Sequence, residues 1–144
     1  MALKIILTIL ISTCSLALIA QKQIGKVTFN SYKLKAVMLD EDGRYNLDTE
    51  WMDSTTTIVV DFTSSVMTVY NSVKSNYILQ DAPIQSVDGE FTNIKWDKCI
   101  DNNGERCNVR IKYKTTGNFK NDITLLFLDF KDVTLVYKMK YRSS

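Results

Sequence analysis

Histidine, the side chain most often used for acid–base and metal chemistry, is absent from this chain of 144 residues. Nucleophilic triads and Cys-His pairs need an imidazole as general base, and catalytic zinc sites commonly use it as a ligand. Most familiar hydrolase and metalloenzyme mechanisms are therefore excluded. The remaining candidates for chemistry are 16 carboxylates and three cysteines.

The carboxylates are concentrated in two short segments. Residues 40–50 contain Asp40-Glu41-Asp42-Gly43 followed by Asp48 and Glu50, and residues 101–105 read Asp-Asn-Asn-Gly-Glu. Neither segment has the alternating ligands and terminal glutamate of a twelve-residue calcium loop. Asp, Asn and Gly also favour turns for local reasons, so we interpret both segments as turns and expect no metal and no cofactor.

Carboxylate pairs could also support glycosidase-like catalysis, which needs two acids facing each other across a cleft. The sequence offers many acids but distinguishes no pair among them. Short connections between the predicted strands also leave few long loops in which to build an active site. We therefore expect no catalytic residues and a protein that is not an enzyme.

Cys99 and Cys107 flank the segment Ile-Asp-Asn-Asn-Gly-Glu-Arg, in which Asn103-Gly104 is a strong hairpin signal. An even pair of cysteines in an exported chain predicts a disulfide, the alternative being two free thiols in a reducing compartment. Two cysteines without histidine cannot supply the four ligands of zinc.

The phase of this hairpin conflicts with a directly paired disulfide. Strict alternation places Cys107 with Val109 on the apolar face, but it places Cys99 on the opposite face from Trp96. Directly paired residues on neighbouring strands must share a face. Either a β-bulge near Asp97-Lys98 resets the phase or the cysteines meet beyond the regular ladder.

Residues 1–20 contain Lys4, an apolar run at 5–11, a polar step at 12–15 and a second apolar run at 16–20. This pattern predicts a cleaved secretory signal peptide, because the polar step interrupts the roughly 20 apolar residues that a membrane anchor needs. We place cleavage after Ala20, with Ala17 as the competing site. Lipidation at Cys14, as in a bacterial lipoprotein, is a third possibility.

Cleavage leaves residues 21–144 as a single β domain that is periplasmic or secreted. Loss of Lys4 reduces the formal net charge from +2 to +1. A nearly neutral exported domain is not expected to bind nucleic acid, and after processing it would not span a membrane. We expect a monomer.

Alternation of apolar and polar residues with a period of two continues along the chain and predicts strands. It is clearest at 107–114 and 133–141, and the runs 57–62 and 66–70 predict a hairpin. Further strands are predicted at residues 22–29, 32–39, 45–51, 76–80, 92–100 and 123–130, with turns at 40–43, 81–83, 87–89 and 116–118.

About eight to ten short antiparallel strands predict an all-β fold. We favour a meander that closes as a calycin-like β-barrel, since closure removes unpaired edges. A two-sheet β-sandwich is the alternative.

The side chains of these strands suggest three kinds of contact. Residues 123–130 are apolar on both faces, which suggests either a strand covered on both sides or one whose outer face contacts a partner. Two rows of cations would form one basic stripe if their strands were neighbours, and such a stripe could bind anionic glycan or lipid headgroups. Such rows are more often simply solvated. The rows are Arg110, Lys112, Lys114 and Lys138, Lys140, Arg142. A set of aromatic residues could line a barrel interior and hold a small apolar ligand, although core packing is the simpler interpretation: Trp51, Phe62, Tyr70, Trp96, Phe127 and Tyr137.

The cysteine-bracketed turn 99–107, the runs at 57–62 and 66–70, and the C-terminal strand pair together resemble small uncharacterised exported proteins common in Bacteroidota. The junction Ala20-Gln21 is similar to signal peptides of that group. The resemblance implies export, the disulfide and a β fold, and it implies no activity.

These observations predict an exported, non-enzymatic binding domain that holds a small apolar ligand in the barrel mouth. The alternative is a protein-interaction module of the envelope or of the secreted fraction, such as an assembly factor or an enzyme inhibitor.

Overall fold

The computed structural model describes residues 25–42, 44–115 and 123–142. The predicted signal peptide, Cys14 and the predicted turn at 116–118 lie outside these residues. The described chain consists of strands joined by turns, and the strands are β1 (Lys26–Leu39), β2 (Tyr45–Asp48), β3 (Met52–Asp61), β4 (Val66–Tyr70), β5 (Lys74–Ile78), β6 (Ile84–Asp88), β7 (Phe91–Asp101), β8 (Arg106–Lys114), β9 (Thr124–Asp129) and β10 (Val133–Tyr141).

Eight antiparallel strands close into a barrel in the order β1, β3, β4, β5, β7, β8, β9, β10, with β10 paired back to β1. Strand β2 continues the edge of β1 beyond β3, and β6 pairs with the first half of β7. The prediction of an all-β, calycin-like barrel is confirmed, and the two-sheet sandwich is not what forms.

Strand β1 is the longest element and is paired along both of its edges. Its residues from Phe29 to Met38 pair with β10, and those from Lys26 to Leu34 pair with β3. Both ladders shift register between Ser31 and Lys33, where the Ser31 hydroxyl donates to two backbone carbonyls at 3.1 Å. Within the described residues, the predicted strands at 22–29 and 32–39 therefore correspond to one bulged strand, Lys26–Leu39.

Alternation along each strand turns one set of apolar side chains into the barrel. Leu126 and Leu128 of β9 are fully buried, as are Val109 and Ile111 of the neighbouring strand β8. Other large side chains with no exposed surface include Val27, Phe29, Ile58, Met67 and Met139. These residues form one continuous core in the middle of the barrel, stabilised by removal of apolar surface from water.

Strand β6 was not predicted, because its sequence carries turn signals at 81–83 and 87–89. Its apolar residues Ile84 and Val87 are three positions apart, which breaks the period of two, and Pro83 precedes the strand. Ile84 is 60% exposed and Val87 is 62% exposed. Ladder pairing with β7 holds this segment in place, although its apolar side chains are exposed.

Cys99 of β7 and Cys107 of β8 are direct partners across the ladder. The register shifts between Trp96 and Cys99, and Lys98 has a positive φ of 59°. This irregularity is the predicted bulge, which resets the phase and turns both cysteines toward the core. The predicted disulfide is not present, because both thiols are unbonded and the Cys99 thiol donates to the Trp96 carbonyl at 3.5 Å.

Candidate functional site

Three of the six aromatic residues predicted to line the interior do face the core. Trp96 and Tyr137 are almost completely buried, and Phe62 is partly buried against the same cluster. The ring centroids of Phe62 and Trp96 lie 5.9 Å apart with an interplanar angle of 45°. These contacts are those of packed core residues.

The other three, Trp51, Tyr70 and Phe127, lie on the outside of the barrel, and their predicted interior position was wrong. Tyr70 and Phe127 have the opposite strand parity from the buried residues beside them, so both point outward. Trp51 belongs to the link between β2 and β3, and its ring lies beside the ammonium groups of Lys35 and Lys138. Because Trp51 lies outside the strands, alternation could not predict which way its side chain points.

Large side chains occupy the interior positions where a ligand was expected. Tyr77 and Tyr137 are buried there, and burial raises the pKa of both phenols above the ordinary value. The fully buried Met67, Met139 and Phe29 are contributed by strands from different parts of the barrel. This filling favours core packing over ligand binding by the same aromatic residues.

A cavity of about 570 Å³ lies instead between the β1–β2 and β9–β10 turns, and it is lined by Asp40, Glu41, Asp42, Lys131 and Asp132. The Asp40 carboxylate accepts hydrogen bonds from the backbone N–H groups of Asp42 and Arg44 at 3.0 and 2.8 Å. Asp101 closes its own turn in the same way through Asn103 and Glu105. Across the residues that the structure describes, no group of three or more acids and cysteines is arranged to hold a metal.

The outer surface of strands β8, β9 and β10 carries a distinct combination of charge and apolar area. We call it the cationic face and define it by the outward side chains Arg110, Lys112, Lys114, Leu125, Phe127, Lys138 and Lys140. Strand β9 lies between β8 and β10, so Lys112 and Lys138 are both cross-strand partners of Leu125. The two predicted cationic rows are therefore separated by one apolar strand rather than adjacent.

Strand β9 has different environments on its two faces. Leu126 and Leu128 are fully buried in the barrel, whereas Leu125 and Phe127 are only half-buried on the outside. Just before the strand, Ile123 is 48% exposed. Packing within the barrel therefore leaves apolar side chains on the outer face of β9 partly exposed to solvent.

The cations of this region have two kinds of partner. Arg110 donates two hydrogen bonds to the Asp129 carboxylate, at 2.5 and 3.0 Å, and its guanidinium lies 4.2 Å from the centroid of the Phe127 ring. On the adjoining β1, Lys33 and Lys35 form ion pairs with Asp53 and Asp48. These three cations are neutralised locally.

Three lysines of the cationic face are placed over aromatic rings instead. The Nζ atom of Lys112 lies 4.7 Å from the centroid of Phe91, and that of Lys138 lies 4.3 Å from the centroid of Trp51. Lys140 lies 5.5 Å from the centroid of Tyr32. The aromatic rings hold these ammonium groups in place without cancelling their charge.

Arg142, the last member of the predicted cationic rows, follows β10 and is exposed, and its backbone N–H donates to Thr28 at 2.8 Å. The aromatic supports of the lysines were missed in the sequence because Phe91, Trp51 and Tyr32 come from distant elements. Phe91 lies beside the β8 cations because of the register between β7 and β8, and the sequence alone does not give that register.

No protein-family model, curated protein or solved structure matches the chain. Among the described residues, no helix has the length and apolar character needed to cross a membrane. Function must therefore be inferred from the geometry and charge of the surface itself.

Proposed function

We propose that this protein is an exported, non-enzymatic binding domain that contacts its partner through the cationic face. The observation that carries the proposal is the position of Leu125 and Phe127, half-buried and outward-facing between two rows of cations. An apolar centre with a charged rim is the usual arrangement of a contact surface between macromolecules.

The packing of the buried aromatic side chains supports a surface contact over a ligand held by them in the barrel. Trp96, Tyr137 and Phe62 pack with the core, so they already have partners in the absence of any ligand. The cavity between the β1–β2 and β9–β10 turns is lined by charged residues, which do not suit an apolar ligand. None of the six aromatic residues predicted to bind a ligand is among the residues that line it.

The described carboxylates with shifted pKa values also favour a non-catalytic role. The Lys33 ammonium lowers the pKa of Asp53 by a hydrogen bond and by its charge. Burial raises the pKa of Asp61, but hydrogen bonds from Ser64 and Thr63 outweigh it and leave the pKa lowered. A general acid at neutral pH needs a shift in the opposite direction.

Export would expose Cys99 and Cys107 to an oxidising compartment, and we include their oxidation to a disulfide in this proposal. Their direct pairing across β7 and β8 supports it, because residues opposite each other on antiparallel strands share a face and lie close together. The bridge would hold the bulged part of the barrel wall next to the cationic face.

Site-specific photo-crosslinking tests the proposed contact surface. A photoreactive benzoylphenylalanine replaces Leu125 in one variant and, as the control, replaces Val73, which is 66% exposed in the turn between β4 and β5. Irradiation of the producing cells is expected to give a discrete adduct from position 125 and none from position 73. Mass spectrometry identifies the adduct as protein, lipid or glycan.

Three outcomes would contradict the proposal. Equal adducts from both positions, or none from position 125, would show that the cationic face is not the contact surface. Recovery of a stoichiometric apolar molecule by solvent extraction of the native protein would indicate a binding site in the barrel interior instead.

A further inference from the structure

The carboxylates nearest the cationic face are already engaged. Asp129 accepts two hydrogen bonds from Arg110 and a third from the Thr134 hydroxyl at 2.9 Å. Asp53 and Asp48 are paired with the lysines of β1. The ion pairs formed within the described ranges thus leave Lys112, Lys138 and Lys140 facing solvent with their charge intact.

The positions of these three lysines reveal the geometry of the anion that they could meet. Lys112 and Lys138 flank Leu125 from opposite sides, on strands that are two interstrand spacings, roughly 10 Å, apart. Lys140 is the next outward residue along β10 after Lys138. Their charges are therefore spread over a surface rather than converging on one point, which fits an extended array of anions better than a single phosphate or carboxylate.

The type of cation distinguishes between extended partners. Arginine, whose planar fork pairs with carboxylates in fixed geometry, is represented on the cationic face by Arg110, which Asp129 already holds. The two cations that flank Leu125, Lys112 and Lys138, are lysines, which act as point charges and need no directed acceptor. Mobile anions that adjust to the lysines suit this arrangement better than the fixed carboxylates of a folded protein.

The aromatic rings argue against a polysaccharide. Sugar rings bind to proteins by stacking on exposed aromatic faces, but the Trp51 ring is flanked by the ammonium groups of Lys35 and Lys138, at 4.9 and 4.3 Å from its centroid. Phe91 and Tyr32 are likewise engaged by Lys112 and Lys140. The rings therefore serve as supports for cations rather than as platforms for sugars.

Apolar side chains complete the surface. Leu125 and Phe127 are half-buried between the lysine rows, and Ile123 is 48% exposed at the start of the same strand. Side chains of this kind can enter the boundary between headgroups and acyl chains while flanking lysines remain at the headgroup level. Among extended anions, a lipid bilayer is the one that also offers an apolar layer.

We infer that the cationic face docks on the surface of an anionic lipid bilayer, with Lys112, Lys138 and Lys140 among the headgroups and Ile123 and Leu125 at the acyl boundary. The inference rests on the proposed function, because it names the partner of the same surface. The contact is peripheral and reversible, since few side chains take part and the attraction is screened by salt.

Vesicle sedimentation tests this inference. The probes are vesicles of phosphatidylcholine with about 30% phosphatidylglycerol, and vesicles of phosphatidylcholine alone. The full chain is used as recovered from producing cells, and mass spectrometry verifies that all variants share one N-terminus. The native protein is expected to sediment with the anionic vesicles only, and progressively less as the salt concentration rises.

A charge-matched pair of variants locates the contact. Lys112→Gln, Lys138→Gln and Lys140→Gln together remove three charges from the cationic face, and each neutralised lysine is expected to weaken binding about fivefold, about a hundredfold in total. The control combines Lys74→Gln, Arg106→Gln and Lys131→Gln, which remove the same charge at exposed positions outside the face. This control is expected to bind vesicles nearly as well as the native protein.

Equal weakening in both triple variants would overturn the inference, because attraction would then follow net charge and not the face. Absence of native binding to anionic vesicles would also overturn it. Tighter binding to soluble dextran sulfate or polyglutamate than to anionic vesicles would also overturn it, because the partner would then be a glycan or an acidic protein. A protein adduct from position 125 together with no vesicle binding would refute the bilayer while leaving the proposed contact surface intact.

Discussion

Cys99 and Cys107 face each other directly across β7 and β8 even though strict alternation from Trp96 would put them on opposite sides of the barrel wall. The bulge between Trp96 and Cys99 inserts the extra residue that brings both side chains to the core. Both cysteines are buried, with 0% and 5% of their surface exposed. A single irregularity in one strand thus creates the pairing.

In the exported protein we expect the Cys99–Cys107 pair to be oxidised. A thiol assay on the unfolded, unreduced protein should then detect no sulfhydryl, and reduction should lower the free energy of unfolding by roughly 2.5 kcal/mol through loss of the closed loop. Unfolding is essential, because burial, with smaller effects from Cys99 and nearby acids, raises the pKa of Cys107 to about 12 and suppresses its reactivity. Two thiols per unreduced chain would show that the bridge does not form.

The bulge places Lys98 at a φ of 59°, a backbone conformation that is unfavourable for a residue with a Cβ atom. Lys98→Gly should relieve this strain and raise the free energy of unfolding by about 0.5 to 1 kcal/mol. Lys95→Gly, at a regular ladder position opposite Arg110, should lower it by about the same amount. Urea denaturation measures both, and a loss of stability in the Lys98 variant would be evidence against a strained bulge.

Neighbouring leucines of β9 should separate stability from binding. Leu126 is fully buried, so Leu126→Ala should lower the free energy of unfolding by about 2 to 5 kcal/mol. Leu125 is half-buried on the outside, so Leu125→Ala should cost about 1 kcal/mol or less while weakening sedimentation with anionic vesicles. Chemical denaturation and the vesicle assay are run on both variants. A large stability loss from Leu125→Ala would show that this side chain belongs to the core instead.

Alkaline pH should destabilise the barrel through its buried phenols. Burial raises the pKa of Tyr77, with a smaller effect from Tyr137, and it also raises the pKa of Tyr137 itself. The unfolded chain loses these protons near the ordinary pKa of 10.0 while the folded chain keeps them, so stability is maintained below that pH and falls above it. Each phenol contributes a slope of about 1.4 kcal/mol per pH unit.

Urea titrations between about pH 9 and 11.5 measure that slope. Tyr77→Phe should make it shallower, while Tyr70→Phe, at an exposed position, should leave it as it is. If the slope is the same in all three proteins, the buried phenols are not responsible for it.

The alternation of apolar residues was enough to predict an all-β fold, because each strand has one face in the core and one in water. The barrel was favoured over the sandwich on a different ground, the removal of unpaired edges by closure. The same alternation revealed the conflict at Cys99, and of the two explanations that it allowed, a bulge or a meeting beyond the ladder, the structure has the bulge. Alternation could not predict β6, since Ile84 and Val87 are both exposed and carry no period of two.

The cationic face was only partly predictable. The lysines of β8 and β10 were evident from their spacing, but the apolar strand between them depends on the order of strands in the closed sheet. Trp51 was assigned to the interior because its residue type suits a core, whereas its position in a link places it beside Lys35 and Lys138. Contacts between distant segments determine such details, and local patterns do not contain them.

The seam between β1 and β10 imposes an order on folding. The hydrogen bond from the Ser31 hydroxyl to the Lys138 carbonyl joins residues 107 positions apart, and the ladder around it closes the sheet. Contacts so distant along the chain form late, because a long loop must be ordered before they form. A nascent chain whose β10 is still inside the ribosome cannot complete the barrel. The sheet therefore stays open until β10 is available to pair with β1.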